Sequence, residues 1–357
     1  MNTIKKLDIL LRDGFIHQED ITALQKVVGN FSFAISEQLY KRIDKSNECD
    51  PLVKQFIPTK KELDVSHLEL ADPIGDNVHM PVKGIVHRYP DRCLLMPVQV
   101  CPVYCRFCFR KEKVGTADAT LSEKELQDAY AYIRHHQEIW EVILTGGDPL
   151  ILKPQVLRKI ISQLNSIEHV EVMRIHTRIP VVESRRINQE MVAVLKNAKP
   201  IYVVLHANHP NEFTEEAVKA CSALVDAGIP MLSQTTLLKD INDNIEVLSA
   251  LMRCFIRNRI KPYYLHHADL AKGTQHFRTT LAEGQHLVKQ LRGRFSGICQ
   301  PTYVLDIPGG YGKVPVGPCY IRQTKNNTQE VAEYCVEDYC GGVHVYPCSL
   351  REESGNE

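Results

Sequence analysis

The chain has 357 residues, 44% of them apolar, with 43 basic and 43 acidic side chains and a formal net charge of +0. That length supports one large core, and the balanced charge supplies no general field to hold a nucleic acid or a membrane surface, so neither partner is expected. Residues 1–8, Met-Asn-Thr-Ile-Lys-Lys-Leu-Asp, put charges where a signal peptide would be apolar, and no stretch is long and apolar enough to span a bilayer. A cytoplasmic address is expected, and the 12 cysteines fit a reducing compartment in which thiols stay free for metals.

Helical periodicity marks Lys5–Leu11, Glu19–Val28 and Ile35–Ile43, so residues 1–75 read as a helical N-terminal layer. Within it Asp50–Leu63, which carries Pro51, Pro58 and three lysines, reads as a linker or wrap. From about Arg92 the pattern changes. Apolar β-like runs at Cys93–Val98, Trp140–Leu144, Val170–Ile175, Ile201–Leu205, Met231–Thr236 and Pro262–His266 alternate with helical stretches. The helices are expected at Ser122–His136, Pro154–Ile167, Asn188–Asn197, Thr214–Ala227, Ile245–Arg259 and Leu281–Arg294, with caps near Ser122 and Asn244. Alternation of this kind implies right-handed βαβ units and a parallel sheet. Six units suggest an α/β fold, an incomplete (β/α)6 barrel over residues 76–298. Residues 299–357 add a strand-like Thr302–Leu305, a Gly/Pro-rich turn and a polar tail from about Arg322.

Barrel and doubly wound sheets both place ligands at the carboxyl ends of their strands. The reactive residues of this chain fall there: the segment Cys101-Pro-Val-Tyr-Cys105-Arg-Phe-Cys108 follows the first run, and Thr145-Gly-Gly-Asp148-Pro the second. His176-Thr-Arg178, His206-Ala-Asn-His209, Gln234 and His266-His-Ala-Asp269 end the next four. A lone histidine is more often a satisfied core group, so His176, His206 and His209, with Arg178 and Gln234, take no specific role. Three closely spaced thiols can ligate three irons of a cubane cluster and leave the fourth iron open. A closed zinc site would want four ligands, and a disulfide framework belongs to small secreted chains.

The spacing C-x3-C-x2-C, with an aromatic before the last cysteine, resembles the signature of the radical S-adenosylmethionine (radical SAM) enzymes. The resemblance implies a [4Fe–4S] cluster on Cys101, Cys105 and Cys108 whose open iron chelates S-adenosylmethionine. The Gly146-Gly147-Asp148 turn resembles that superfamily's GGE-type motif, which implies S-adenosylmethionine contacts there. Asp306-Ile-Pro-Gly-Gly-Tyr-Gly-Lys313 is the second strong signal, because a lysine on an adaptable glycine loop suits a Schiff base once desolvated. That segment resembles the pyridoxal-lysine motif of the lysine 2,3-aminomutase family. His87-Arg-Tyr-Pro-Asp-Arg92, Arg110, His176–Pro180, Asn208–Glu212 and Asp269–Arg278 resemble further blocks of the family, in its order, over roughly residues 50–320.

Membership implies an isomerase, an intramolecular aminotransferase that moves the amino group of L-lysine from C2 to C3 to give β-lysine. It implies pyridoxal 5′-phosphate on Lys313, with Arg88 as a further pyridoxal contact, and S-adenosylmethionine as a regenerated cofactor. Arg110 would hold the substrate carboxylate, and Asp269 with Asp306 the side-chain ammonium, which needs anionic partners in a closed pocket. An electron donor such as flavodoxin or ferredoxin and a homo-oligomer are expected. The alternatives are a branch that supplies β-lysine for modification of translation elongation factor P, and a non-catalytic iron–sulfur electron carrier. One family feature is missing: where some members place a zinc-binding cysteine, this chain has Asn242-Asp-Asn244, and Cys335, Cys340 and Cys348 are too spread to form the accompanying tight cluster.

Overall fold

The computed structural model describes residues 3–47, 49–115, 120–324 and 333–347. Its N-terminal layer holds β1 (Thr3–Ile4), α1 (Leu7–Arg12), α2 (Ile21–Asn30), β2 (Ile35–Ser36), α3 (Glu37–Tyr40) and α4 (Pro51–Phe56). The helix expected over residues 35–43 starts only at Glu37. Ile35 and Ser36 pair with Ile4 and Thr3, and Ser36 Oγ caps α3 by accepting the Leu39 N–H at 3.2 Å. Residues 50–63 are a wrap and not a linker: α4 buries Leu52, Gln55 and Phe56, and a 3-10 turn over Lys60–Leu63 buries Glu62.

The barrel follows in order: β3 (Ile85–Tyr89), β4 (Arg92–Val98), α5 (Glu123–His135), β5 (Glu141–Gly146), α6 (Pro154–Asn165), β6 (Val172–Thr177), α7 (Ile179–Val182), α8 (Gln189–Leu195) and β7 (Ile201–His206). It continues through α9 (Glu215–Asp226), β8 (Met231–Thr236), α10 (Ile245–Arg257), β9 (Ile260–His266), α11 (Leu281–Leu291), β10 (Thr302–Ile307) and β11 (Gly312–Pro315). Ser122 and Glu125 form a capping box on α5, and Asn244 caps α10 through the Val247 N–H at 2.9 Å, so both expected caps are present. On α10 the buried Leu248, Leu251, Met252 and Phe255 recur at three- and four-residue steps, the stripe that packs a helix on a sheet.

β3 to β11 form one nine-stranded sheet in strict sequence order. The order never reverses, so there is no switch point and the doubly wound alternative falls away. Six βα units, β4–α5 to β9–α11, curl the sheet into a partial barrel. β10 adds a seventh parallel strand beside β9, while β3 and β11 run antiparallel at the two edges. Those edges meet: the Lys313 N–H donates to the Tyr89 hydroxyl at 2.7 Å, from β11 to β3. On β6 and β8, buried residues under the helices alternate with partly buried ones, which puts His176 and Gln234 on the inner face. Last come β12 (Ile321–Thr324), β13 (Glu333–Glu337) and β14 (Val343–Pro347), a separate antiparallel sheet joined to α11 by the Lys289–Glu337 ion pair.

Candidate active site

The three thiols lie on the loop that leaves β4. The loop is pinned to the N-terminal layer by two backbone bonds, Tyr104 N–H to Ala34 O and Arg106 N–H to Gln55 O, both 2.8 Å. Burial pushes the Cys101 thiol well above its ordinary value and Cys105 up to about 11, and each is raised further by the other thiols nearby. Such thiols stay protonated until a metal or a positive charge stabilises the thiolate. Arg178 supplies one charge: its Nη1 lies 3.2 Å from Cys105 Sγ, and its Nη2 reaches Glu212 and, at 3.2 Å, Gln55. A second lock is wholly buried. Glu62 accepts from Arg106 at 2.6–3.1 Å and from Lys111 at 2.9 Å, which fastens both ends of the Cys105–Cys108 stretch to the wrap.

The glycine turn after β5 packs directly on this loop. A Cβ on Gly147 would stand 2.4 Å from Val100 O, and Gly146 has φ +102, so both positions require glycine. Asp148 is engaged within the protein. Its carboxylate accepts the Thr177 hydroxyl and the Arg178, Ile179 and Leu150 N–H groups, and its own N–H donates to Val100 O. Burial pushes that carboxyl up to about 6 against these hydrogen bonds. Asp148 therefore splices the ends of β4, β5 and β6, and its carboxylate is spent on protein donors.

A chain of charges crosses the barrel mouth. Lys313 Nζ donates to Asp306 Oδ2 at 2.5 Å, from directly opposite positions of β11 and β10. Burial works to raise the Asp306 carboxyl, but the His266 hydrogen bond and the Lys313 charge outweigh it and hold it low. Arg88 Nη1 stands 3.8 Å from Asp306 Oδ1, while Arg88 Nη2 contacts Asp76 at 3.3 Å. Asp76 also takes Arg110, through Nε at 2.9 Å and Nη2 at 2.8 Å. The sequence-predicted residues Arg88, Arg110, Asp306 and Lys313 are thus brought together, linked by an aspartate that no motif had marked. Asp269 lies in the same field. Among the described residues it makes no hydrogen bond or ion pair, and burial, with Asp306 close by, pushes its carboxyl up to about 7.

The inner wall beside this chain is unsatisfied. His176 Nε2, His206 Nε2, Gln234 Oε1, His266 Nε2, Asp306 Oδ1 and Arg88 Nε are all buried without a hydrogen-bond partner. Buried polar atoms are ordinarily paired, so a ring of orphans at consecutive strand ends fits a polar ligand. Burial holds the histidines neutral, His206 down to about 3. His209 stands apart and caps a 3-10 turn.

Comparison with known proteins adds a Radical SAM superfamily match over residues 95–251 and a Lysine-2,3-aminomutase match over residues 288–348. The L-lysine 2,3-aminomutase of Clostridium subterminale is 39% identical over 320 residues, which cover 90% of this chain and 77% of that protein. The chain belongs to the lysine 2,3-aminomutase family. The Methanococcus maripaludis L-lysine 2,3-aminomutase is 41% identical, covering 90% and 75%, and the glutamate 2,3-aminomutase of Clostridioides difficile 37%, covering 90% and 76%. As a radical SAM aminomutase-family enzyme, the protein works with a [4Fe–4S] cluster, S-adenosylmethionine and a small-molecule substrate. The loop that lacks the zinc cysteine is closed by an amide: Asn242 Nδ2 donates to Asn208 O and Thr236 O at 2.9 Å. Cys335, Cys340 and His344 are not gathered within reach of one ion, His344 pairs with Asp338, and Cys348 lies outside the described residues.

Sequence reasoning missed Asp76, Glu62, Gln55 and Tyr89. Glu62 carried a faint signal, the Thr59-x-x-Glu62 capping-box spacing, although that box marks a turn and not a buried ion triad.

Proposed function

We propose that the protein interconverts L-lysine and β-lysine by moving an amino group between C2 and C3. One observation carries the reading: at the barrel mouth, Lys313 and the carboxylates Asp306 and Asp269 share one charged cluster with Arg88 and Arg110. When bound, S-adenosylmethionine on the cluster supplies a hydrogen-abstracting radical, and pyridoxal phosphate supplies the π system over which nitrogen migrates.

Cys101, Cys105 and Cys108 would hold three irons of the cluster, and Arg178 draws Cys105 toward its thiolate. Gly146 and Gly147 bring the β5 backbone against the cluster loop, so the contacts to S-adenosylmethionine there come from main chain. Lys313 is the amine for the pyridoxal aldehyde, and Arg88 lies beside it as an anion partner. Arg110 gives Nε and one Nη2 donor to Asp76, which leaves the rest of its planar fork for the substrate carboxylate.

Asp306 pairs with the Lys313 ammonium in this structure and, with Asp269 beside it, would offer a carboxylate to the substrate's distal ammonium. Asp269, its carboxyl pushed up to about 7 by burial and by Asp306, would give up its proton as the ammonium arrives and so provide the second carboxylate. A substrate with a distal carboxylate would face two acids, which disfavours glutamate. The electron comes from an external donor such as flavodoxin or ferredoxin.

The test is anaerobic incubation of reconstituted protein with lysine, pyridoxal phosphate, S-adenosylmethionine and a reductant, followed by chiral separation of lysine and β-lysine. β-Lysine should form, and pyridoxal absorbance should vanish in Lys313→Ala. An intact cluster with bound pyridoxal but no β-lysine would overturn the substrate assignment.

A further inference from the structure

We propose that His87, His136 and Glu138 form a binding site for one divalent transition-metal ion of the zinc type, on the side of the barrel wall between β3 and the turn after α5. Among the described residues these three offer ligand atoms that all lie within 4.8 Å of one another. No hydrogen bond or ion pair joins them to each other, and the His87 and His136 rings meet edge-on with centroids 5.6 Å apart. A tetrahedral ion with ligand bonds of about 2.0–2.1 Å holds its ligands roughly 3.4 Å apart. Contraction by about an ångström completes the site.

The ring nitrogens are set for it. His136 Nδ1 lies 2.8 Å from Tyr132 O. A carbonyl only accepts, so Nδ1 carries the proton and Nε2 is left with a bare lone pair. His87 Nδ1 lies 2.9 Å from the Tyr132 hydroxyl, and its Nε2 has only a 3.4 Å approach to Pro90 O. Metal binding selects the tautomer in which Nδ1–H donates to the phenol oxygen and Nε2 gives up its long contact with Pro90 O. Tyr132 therefore orients both imidazoles, and its ring stacks on His136 with centroids 3.9 Å apart. Partners of this kind orient metal-ligating histidines and strengthen them as ligands.

The backbone is equally fixed. His136 follows the last residue of α5, and the turn that carries Glu138 is closed by Ile139 N–H to His136 O and tied to the β3–β4 turn by Trp140 N–H to Asp91 O. A surface groove lined by Val82, Lys83, Tyr132 and His136 supplies the entry path. Two imidazoles and a carboxylate suit zinc-type ions, with water in the fourth position.

The probe is Co2+, titrated anaerobically into the reconstituted holoenzyme, read by its optical spectrum and by the thermal midpoint. Thiol sites elsewhere would show sulfur-to-metal charge transfer, which an imidazole–carboxylate site lacks. We expect one equivalent of Co2+ without thiolate bands and a higher midpoint with Co2+ than without. In Glu138→Gln, at an exposed position, and in His136→Ala, binding should weaken at least tenfold and the midpoint shift should disappear. Tyr132→Phe should weaken binding by about tenfold, as loss of an orienting partner does. Absence of this equivalent in the parent, thiolate bands on it, or unchanged affinity in both ligand variants would overturn the site.

Discussion

Glu62→Gln removes the one negative charge that holds two buried cations on the cluster loop. The Glu62 side chain is 0% exposed, and those of Arg106 and Lys111 only 1% and 5%. Burial works to raise the Glu62 carboxyl, but the Arg106 and Lys111 charges prevail and hold it below its ordinary value. Breaking a buried pair from one side costs about 3–5 kcal/mol, because the partner charge is left without compensation. The glutamine oxygen still accepts a hydrogen bond, but two cations are stranded, so a cost of about 4 kcal/mol is expected.

With a urea slope of about 3 kcal/mol/M, the midpoint of the cluster-free, reduced protein should fall by more than about 1 M. Circular dichroism and the fluorescence of the single tryptophan, Trp140, are the readouts. The sign with pH is defined. In the parent, stability from Glu62 is present above its unfolded pKa of about 4.3 and is lost as pH falls through the lowered folded value. In the variant, Lys111, already lowered by burial, drops further, so the variant should regain stability as pH rises. Arg106 sits between Cys105 and Cys108, so the holoenzyme variant should also release iron to a chelator faster. A loss under about 1 kcal/mol would refute the reasoning. So would a Glu62→Leu/Arg106→Met/Lys111→Met variant no more stable than Glu62→Gln, since replacing the whole triad removes the stranded charge.

Further outcomes follow from the site. Asp269→Asn/Asp306→Asn should abolish lysine turnover while the cluster still assembles; turnover at the parent rate would sink the assignment of the two carboxylates. In the parent enzyme kcat/KM for lysine should fall as pH drops below about 7, where Asp269 takes up its proton, and a flat profile from pH 6 to 8 would contradict the pKa pushed up to about 7. The same raised pKa means that Asp269 contributes stability at low pH, below about 3.9, that is lost as pH rises through about 7. Asp76→Asn should raise KM for lysine by roughly 10- to 100-fold, the worth of a lost charged hydrogen bond at Arg110 of about 1.5–3 kcal/mol, with a smaller change in kcat. Equal losses in both constants would mean that Asp76 acts in some other way. Arg178→Lys keeps the charge but loses the guanidinium fork, and the cluster potential should shift negative in an EPR-monitored titration, because hydrogen bonds to the sulfurs set that potential.

Much of the barrel was legible because its signals are local. A strand that is half under helices, such as Val172–Thr177, must alternate, and a helix that packs on a sheet, such as Ile245–Arg257, must repeat its apolar residues every three or four positions. The cysteine spacing and the glycine loop before Lys313 are likewise written within a few residues. The partners of the charges are not. Asp76 lies 34 residues from Arg110, and Glu62 lies 44 from Arg106 and 49 from Lys111. Nothing in the local pattern separates these carboxylates from an exposed one such as Asp64.

Residues 50–63 were ambiguous for the same reason. Prolines and lysines look like a linker until Gln55 and Glu62 are seen buried against the cluster loop. The order of strands and helices could be read from the sequence because it follows from periodicity, and the cysteine and glycine motifs stood out because they are closely spaced. Only the tertiary structure decided which buried charges neutralise one another and how Tyr89 and Lys313 bring the two sheet edges together. Electrostatic pairing depends on distance in space, and chain distance does not report it.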